Sequence, residues 1–431
     1  MKRQLFLISG LVLLLLISNN SCSAHTTNRI FPMLERSDAY VIKDRSRLDT
    51  TLFYINASTA EQRGGGSGGI PELWGRYDLK DVIASLQAVN PAADPVNLVT
   101  GSNDLSNKSI KFRVRGTVRG YGATLNYERD LKFCGMQVGV TLPVMSVQTT
   151  SRFEFDRNNS DAIFNNPPPA PNVAEYQDLA VDKIRRTTHQ LIGFEGNEWS
   201  KSGFGDLDAH LRWSKNLDHV CLMQSINLNI QLGVLMPTGI LSDTKVPVSV
   251  SVGNNGHWGV YNDFAAEFEL KQDLTVGFIF GLTHLAPHTR TLRLSVGNEP
   301  TIFSALVAPV HIVPALTYKI SPYLILGNLT DGLDFQVRYT YLRHNRDRWV
   351  DHRNNLTPPS YLQGSGDVIS FKEYLSMWRA HYATMQLTYD TKEAQKEIKL
   401  EPKFVIGYDI PIVGYGIAKT HQLNIGVQLH F

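Results

Sequence analysis

An alternation of apolar and polar residues with a period of two constrains this chain more than any other feature. In the final segment, every second residue from Leu423 to Phe431 is apolar, and the residues between them are polar or glycine. Residues 333–341 repeat the pattern. Successive side chains of a strand point to opposite faces, so each segment predicts a strand with one apolar and one polar face.

From about residue 108 onward, the alternation recurs in segments of roughly ten residues separated by turn residues, which is typical of a transmembrane β-barrel. The sequence therefore predicts an all-β fold, an antiparallel transmembrane β-barrel of about 12 strands. The predicted strands are 109–118, 120–131, 134–147, 203–215, 225–237, 258–271, 273–285, 309–320, 333–344, 377–390, 398–410 and 420–431.

The connections between these strands support the barrel over a soluble β-sandwich. Outer-membrane barrels have short periplasmic turns and long external loops, so connection lengths should alternate along the chain. Residues 148–202, 238–257, 286–308 and 345–376 are long and all fall on one side. The two exceptions are a brief turn at Arg119 on the long side and a link at 321–332 on the short side.

Composition excludes two other classes. A helical membrane protein needs apolar runs of about 18 residues, and the longest such run here is Leu5–Ile17. Lys and Arg number 42 against 40 Asp and Glu, so the chain lacks the basic excess of a nucleic-acid-binding protein.

The first residues predict export. Lys2–Arg3 precede the apolar run Leu5–Ile17, and small residues follow it, which is the pattern of a secretory signal peptide over residues 1–24. Lipidation of Cys22 is the alternative, although the position three before it is Asn19 rather than an apolar residue. Together with the barrel pattern, this predicts an outer-membrane location.

The last residue predicts how the barrel is assembled. A terminal Phe431 at the end of an alternating strand resembles the C-terminal assembly signal of Gram-negative outer-membrane barrels. The resemblance implies the barrel-assembly machinery as a partner, with outer-membrane lipid and lipopolysaccharide around the barrel. The oligomeric state stays open.

Residues 25–107 lack the barrel pattern and are predicted to form a separate segment before a barrel over residues 108–431. Gly64–Gly69 predicts a flexible linker. Asp78 is a candidate cap for a short helix with one apolar face. Two interpretations stay open, a plug inside the barrel or a periplasmic extension packed on its mouth, and residues 51–57 could add a strand.

The polar face predicts the residues that line the lumen, because a charge facing lipid near the midplane costs about 2 to 4 kcal/mol. A basic wall opposite an acidic wall would create a transverse field in a pore. The alternative is a salt-bridge network that fills a closed barrel or holds a plug. The predicted lumen residues are Lys111, Arg113, Arg115, Asp206, Asp208, His210, Arg212, Asp263, Glu267, Glu269, Asp334, Arg338, Glu401, Lys403 and Asp409.

The pattern does not favour an enzyme. An outer-membrane phospholipase, which is also a barrel of this size, would need a serine beside a histidine on the lipid-facing side. His381 has outward parity, but its predicted neighbouring strands offer no outward serine. The spacing of Cys and His predicts neither a metal site nor a cofactor.

Two cysteines follow the predicted cleavage site, Cys134 and Cys221. Both fall on the periplasmic side of the predicted topology, in an exported chain where disulfides can form. A bond between them and two unpaired thiols remain equal alternatives.

Three short motifs carry a family resemblance. They are Phe204–Leu207 at the start of a predicted strand, Leu235–Gly239 at the end of the next, and the return that contains Gly253, Gly256 and His257–Gly259. They resemble the transporter-like outer-membrane proteins associated with phenol meta-pathway degradation, which are similar to long-chain fatty-acid transporters.

The resemblance covers about residues 203–270 and implies passage of small molecules, hydrophobic ones among them. We therefore expect a channel or transporter for passive uptake or efflux. The competing hypothesis is a structural or surface-interaction barrel with a closed lumen, which acts through its long external loops.

Overall fold

Twelve strands close into one antiparallel barrel in the computed structural model, which confirms the predicted fold class. The structure describes residues 27–32, 34, 46–100, 108–161, 173–219, 223–351, 373–391 and 401–431. The barrel strands are β1 (Ser46–Ala57), β2 (Lys111–Asp130), β3 (Met136–Phe155), β4 (Leu207–Asp218), β5 (Ser225–Met236), β6 (Gly259–Lys271), β7 (Leu274–Leu285), β8 (Thr317–Thr330), β9 (Leu333–His344), β10 (Trp378–Asp390), β11 (Glu401–Tyr415) and β12 (His421–His430).

The barrel closes through β1, which pairs with both β2 and β12. The predicted count was right but two memberships were wrong. Segments 109–118 and 120–131 form the single strand β2, since Arg119 continues the strand as an exposed residue instead of making a turn. The missing strand is β1, which includes the residues 51–57 considered as an addition. The barrel therefore begins before residue 108.

Strand β8 also differs from its prediction over 309–320. It runs from Thr317 to Thr330, and Val307–Val313 belongs to a separate three-stranded sheet at the barrel end. The 321–332 link consequently shrinks to a turn between Thr330 and Leu333. Both exceptions to the alternation of connection lengths disappear.

All long connections lie at one end of the barrel, which we call the loop end. Ser46 exchanges two backbone hydrogen bonds with Phe431, which places the C-terminus at the opposite end, the turn end. The described elements of the loop end are the helices α1 (Leu79–Val89), α2 (Pro95–Thr100) and α3 (Val173–Ile192), single-turn helices at Ile70–Trp74, Arg157–Asn159 and Thr301–Phe303, and short strands at Ala60–Glu61, Ser67–Gly68, Tyr77–Asp78, Glu198–Phe204, His288–Arg293, Val307–Val313, Arg348–Asp351 and Ile417–Ala418.

Around the barrel, most outward side chains are apolar and exposed, and most inward side chains are polar and buried. In β12, Ile425 is 48% exposed and the adjacent Asn424 only 3%, as the alternation predicts. An outward apolar band over a polar interior is the pattern of a membrane-spanning barrel. Among the described helices, none has the length and apolarity to cross a membrane.

The pattern inverts where β2 and β3 continue into the loop end. Past Tyr121 on β2, the outward residues become charged, and the inward residues Val114 and Val118 are apolar and buried. The helices α1 and α3 pack onto this inward apolar surface. Outside a membrane the surrounding solvent is water, so apolar side chains turn to the interior.

An aromatic cluster with a buried histidine forms the centre of this loop-end core. His189 of α3 stacks on Phe303 and lies 2.8 Å from the Tyr77 hydroxyl through Nε2. Burial, and secondarily the guanidinium groups of Arg185 and Arg293, lower the pKa of His189 to about 3. The ring is therefore neutral at ordinary pH.

The segment between β1 and β2 lies at the loop end, which excludes packing at the turn end for its described residues 58–100. Asp78 caps α1 by accepting from the Lys80 amide at 3.0 Å, as predicted. The predicted linker Gly64–Gly69 instead contains the turn of a small hairpin, in which Gly65 and Gly66 have positive φ. Such backbone conformations suit glycine and explain the run without flexibility.

Candidate functional site

A cavity of about 310 Å³ lies inside the mouth of the barrel at the loop end. The N-terminal residues Thr27–Ile30 form one side, and the β5–β6, β7–β8 and β9–β10 connections form the others. Its lining combines aromatic rings, aliphatic side chains and polar groups, notably Trp74, Trp349, Trp378, Leu292, Ile302, Ile312, Asn254, His257, His344 and Asp347.

The N-terminal residues are held in the mouth by hydrogen bonds to loops that are distant in sequence. The Asn28 amide donates to the Ser251 carbonyl at 2.9 Å, and the Arg29 guanidinium donates to the Leu375 carbonyl at 2.8 Å. Arg29 also lies 4.3 Å from the ring centre of Trp74. These contacts tie residues 27–30 across the mouth of the barrel, and we call these residues the plug segment for their position.

The three motifs that carry the family resemblance meet at Asp206. This fully buried carboxylate accepts from the backbone amides of Gly239 at 3.0 Å and of Asn254. Gly253 has a φ of +88°, and a Cβ there would lie 2.4 Å from the Asp206 carboxyl group. Asp206 thus clamps both ends of the β5–β6 loop, a role distinct from the predicted lining of an open lumen.

The same loop carries His257 to the cavity wall. Its Nδ1 lies 2.9 Å from the Ala286 carbonyl oxygen. Burial lowers the pKa of His257, which favours the neutral imidazole. Also on the cavity wall, His344 Nε2 lies 2.8 Å from a carboxylate oxygen of Asp347. This contact holds the His344 and Asp347 side chains in place.

Below the mouth, long polar side chains lie flat against the inner wall of the barrel. They pass over inward-facing glycines of adjacent strands, and we call each such passage a crossing. The first crossing joins β2 to β4 over Gly139 of β3. Glu128 lies 3.0 Å from Arg212 and 3.3 Å from His210. A Cβ at position 139 would lie 2.2 Å from the His210 ring, so only glycine leaves room for these contacts.

A second crossing runs over Gly233 of β5. The Tyr261 hydroxyl donates to Asp208 at 2.7 Å and accepts from the Gln231 amide at 2.6 Å. A Cβ at position 233 would lie 2.1 Å from the Tyr261 ring. The ring therefore lies flat against the wall.

Two further crossings pass over β7. Lys319 Nζ lies 2.9 Å from Asp263 across Gly281, and both side chains are 2% exposed. The Tyr323 hydroxyl donates to Glu267 at 2.7 Å across Gly277. In both cases the three residues are direct cross-strand neighbours.

The other predicted lumen residues occupy several environments. Asp409 is buried and accepts from Thr384 at 2.6 Å, and Arg338 lies 5.3 Å from the Tyr323 ring centre. Glu269, Asp334 and Lys403 are half-buried near the turn end. The Glu401 side chain lies outside the described residues.

Three predicted lumen residues point the other way. Lys111, Arg113 and Arg115 lie on the outward face of β2, past the apolar band, and are exposed. The proposed basic wall and its transverse field were therefore wrong. The reason is the inversion of polarity at the loop end, where water surrounds the strand and charged side chains face outward.

Sequence reasoning missed several residues of the polar wall. Glu128 lies in a predicted strand but was not assigned to the lumen, and Lys319 fell at the end of the misplaced eighth strand. Tyr261 and Tyr323 were not assigned to the lumen either. The glycines between partners were the available signal, because inward glycine in a strand marks a close approach.

His381 has the outward orientation that its parity predicts, and its Nδ1 lies 2.5 Å from the Tyr339 hydroxyl. Its neighbour is thus a phenol on the adjacent strand. Cys134 is exposed in the turn between β2 and β3. Cys221 lies outside the described residues, so the disulfide stays a prediction.

No family model and no curated protein sequence matches the chain. Among solved structures, it resembles an outer-membrane channel from Pseudomonas putida F1, with a TM-score of 0.45, 10% identity, and coverage of 93% of this chain and 100% of that chain. The translocator domain of the autotransporter NalP from Neisseria meningitidis gives 0.35 and 11%, covering 90% of each chain. A FadL homologue from Pseudomonas aeruginosa gives 0.29 and 9%, covering 90% and 89%.

Proposed function

We propose that this chain is an outer-membrane barrel that passes small molecules through its lumen, with the plug segment controlling the mouth. The outward apolar band supports the membrane location. Passage would be passive, either inward or outward, along a path from the mouth cavity to the turn end.

The observation that carries the proposal is the mouth cavity and its plug. Residues 27–30 form one side of the cavity and are held by hydrogen bonds to loop residues such as Ser251 and Leu375. A volume of about 310 Å³ is at the small end of ligand pockets in general. The three tryptophans of the lining favour a small solute with an apolar or aromatic part.

A closed lumen is the second candidate, and the burial of the wall charges favours it. Glu128 and Asp208 are both fully buried, as is the Asp263–Lys319 pair. Buried pairs of this kind fill or seal a barrel interior as readily as they line a path. In that case the long loops would perform the function.

Conductance in planar bilayers separates the two candidates. The test protein lacks residues 27–34 and keeps β1, because a deletion through residue 107 would remove a barrel strand. We expect infrequent steps from the full chain and frequent, larger steps from the deletion. If neither protein conducts although both migrate as heat-modifiable folded barrels, the channel proposal fails.

A matched control keeps the plug but weakens its attachment. Asn28→Ala removes the hydrogen bond to the Ser251 carbonyl and the one that the Ile30 amide donates to Asn28, and each loss costs roughly 1 kcal/mol. Its opening frequency should lie between those of the full chain and the deletion. Equal conductance of all three proteins would show that the plug segment does not control passage through the lumen.

A further inference from the structure

The outward face of β2 and β3 changes from apolar to polar toward the loop end. The change comes one outward residue earlier on β3, where Ser146 lies opposite Tyr121. Tyr121 of β2 is 57% exposed and Val144 of β3 is 37% exposed. The next outward residues toward the loop end are Arg119 and Ser146, which are polar. If the apolar band marks the membrane, the hydrocarbon ends between Tyr121 and Arg119.

Past this level, the two strands present a concentrated positive surface, which we call the external basic face. Arg115 lies directly opposite Arg152 in the β2–β3 register. Like charges opposite each other destabilise a strand pair. The members of the face are Lys111, Arg113, Arg115, Arg119 and Arg152.

Acidic neighbours neutralise this face only in part. Glu154 lies 2.9 Å from Arg115 and 3.9 Å from Arg152, so one carboxylate serves two guanidinium groups. Asp156 pairs with Arg113 at 3.2 Å. Within the described ranges, Arg119 has no carboxylate at ion-pair distance. An external anion would complete the site.

We infer that the external basic face binds the phosphate groups of the glycolipid in the outer leaflet. This inference rests on the proposed membrane location, but not on passage through the lumen. Guanidinium groups bind phosphate oxygens through two parallel hydrogen bonds, which suits arginine more than lysine. Four of the five basic residues are arginines.

The height of the face agrees with this ligand. Arg119 lies two residues past Tyr121, or about 7 Å along the strand at roughly 3.3 Å per residue. Headgroups occupy about 5 to 8 Å beyond the hydrocarbon on each side of a bilayer. Arg119 thus reaches the first phosphates, and Arg115 and Arg152 reach charged groups farther out.

Native mass spectrometry of the full chain with a rough-type lipopolysaccharide tests the inference. This probe carries phosphates on lipid A, at the level of Arg119, and on its inner-core sugars, which extend outward toward Arg115 and Arg152. The variant is the triple substitution Arg115→Gln, Arg119→Gln and Arg152→Gln. A matched control is Arg129→Gln, which is an exposed outward residue of the same strand at the turn end. Each arginine near a charged membrane surface contributes about fivefold in affinity, so the triple variant should bind on the order of a hundredfold more weakly.

Three results would overturn the inference. The triple variant could bind as tightly as the full chain, the dephosphorylated form of the same lipopolysaccharide could bind equally well, or millimolar inorganic phosphate could displace the lipid. The last would indicate a free-anion site. If the triple variant does not fold, Arg119→Gln alone should lose about fivefold, and binding unchanged in that variant would also contradict the inference.

Conductance measured on the same preparations keeps the two proposals distinguishable. The triple variant should conduct as the full chain does, because these side chains lie outside the lumen. A chain that binds the lipid through its phosphates and never conducts would refute the channel and leave this surface supported.

Discussion

Replacing Lys319 with methionine should destabilise the barrel through the carboxylate that it leaves behind. The Lys319–Asp263 distance is 2.9 Å and each side chain is 2% exposed. Removing one partner of a buried ion pair costs about 3 to 5 kcal/mol, because the remaining charge is uncompensated. An exposed pair would contribute only about 0.2 to 1 kcal/mol. We expect the larger range here.

The double substitution Lys319→Met with Asp263→Asn should recover most of this loss, because no charge stays buried. Gly281→Ala tests the crossing geometry without changing any charge. A Cβ there would lie 2.2 Å from Asp263 Oδ1 and must reach an ordinary contact of 3.4 Å. Overpacking of this size costs about 1 to 3 kcal/mol. Gly327→Ala, whose Cβ would already have ordinary contacts from 3.5 Å, is the matched control.

Urea unfolding in detergent micelles, followed by tryptophan fluorescence and by heat-modifiable migration, measures these free energies of unfolding. A loss below about 1 kcal/mol for Lys319→Met would show that water reaches the pair, and the argument from burial would be refuted. If Gly281→Ala and Gly327→Ala lowered the free energy of unfolding equally, the crossing at Gly281 would not need a glycine.

Three further predictions concern other parts of the molecule. Asp206→Asn leaves one acceptor oxygen for two backbone amides, so the β5–β6 loop should lose about 1 to 3 kcal/mol of stability. Limited proteolysis should then cleave this loop faster than in Asp208→Asn, the control, because the Asp208 carboxyl group does not hold the loop. The loop-end core should lose stability as the pH falls below about 6.5, because an unfolded His189 takes up a proton that the folded ring excludes until about pH 3. The loss of stability reaches about 2 kcal/mol at pH 5 and can be measured by amide exchange in α3 after correction for intrinsic rates. A His189→Phe variant with the same pH dependence would show that His189 is not the titrating group. Phe431→Ala should change the free energy of unfolding by less than about 0.5 kcal/mol, because the residue is 57% exposed. It should nevertheless lower the amount of assembled barrel in cells, and unchanged assembly would exclude a role of Phe431 as the assembly signal.

The sequence was sufficient to predict the barrel because period-two alternation and connection lengths depend on local chemistry. In β12, the outward residues Leu423 and Ile425 are exposed, and the inward residues from Gln422 to Gly426 are buried. The predicted helix cap at Asp78 was also confirmed. Each of these features depends on neighbouring residues and on one solvent at each face.

The predictions failed where one strand meets two solvents. The parity of β2 is constant from Lys111 to Asp130, but its outward face passes from lipid to water near Tyr121. A rule that charge points inward therefore holds for Glu128 and fails for Arg115. Alternation alone contains no information about where the membrane ends.

Long-range contacts account for the rest. The contacts of Asp206 with Gly239 and Asn254 depend on how the loops return to the barrel. Three separate motifs were visible in the sequence, but their common centre was not. A plug was one of two interpretations of residues 25–107, but its contacts were beyond prediction for the same reason, since Asn28 and Ser251 are hydrogen-bonded across 223 positions of sequence.

The inward glycines separate the radius of this barrel from its bore. Strand number and shear determine the radius of the backbone, whereas the bore depends on how far side chains extend toward the axis. Long side chains on the inner wall can lie along the circumference because four glycines leave space beneath them. These are Gly139, Gly233, Gly277 and Gly281. Single substitutions at these positions would redirect a side chain from tangential to radial. The width available at the axis can therefore change without altering the outward band or the number of strands.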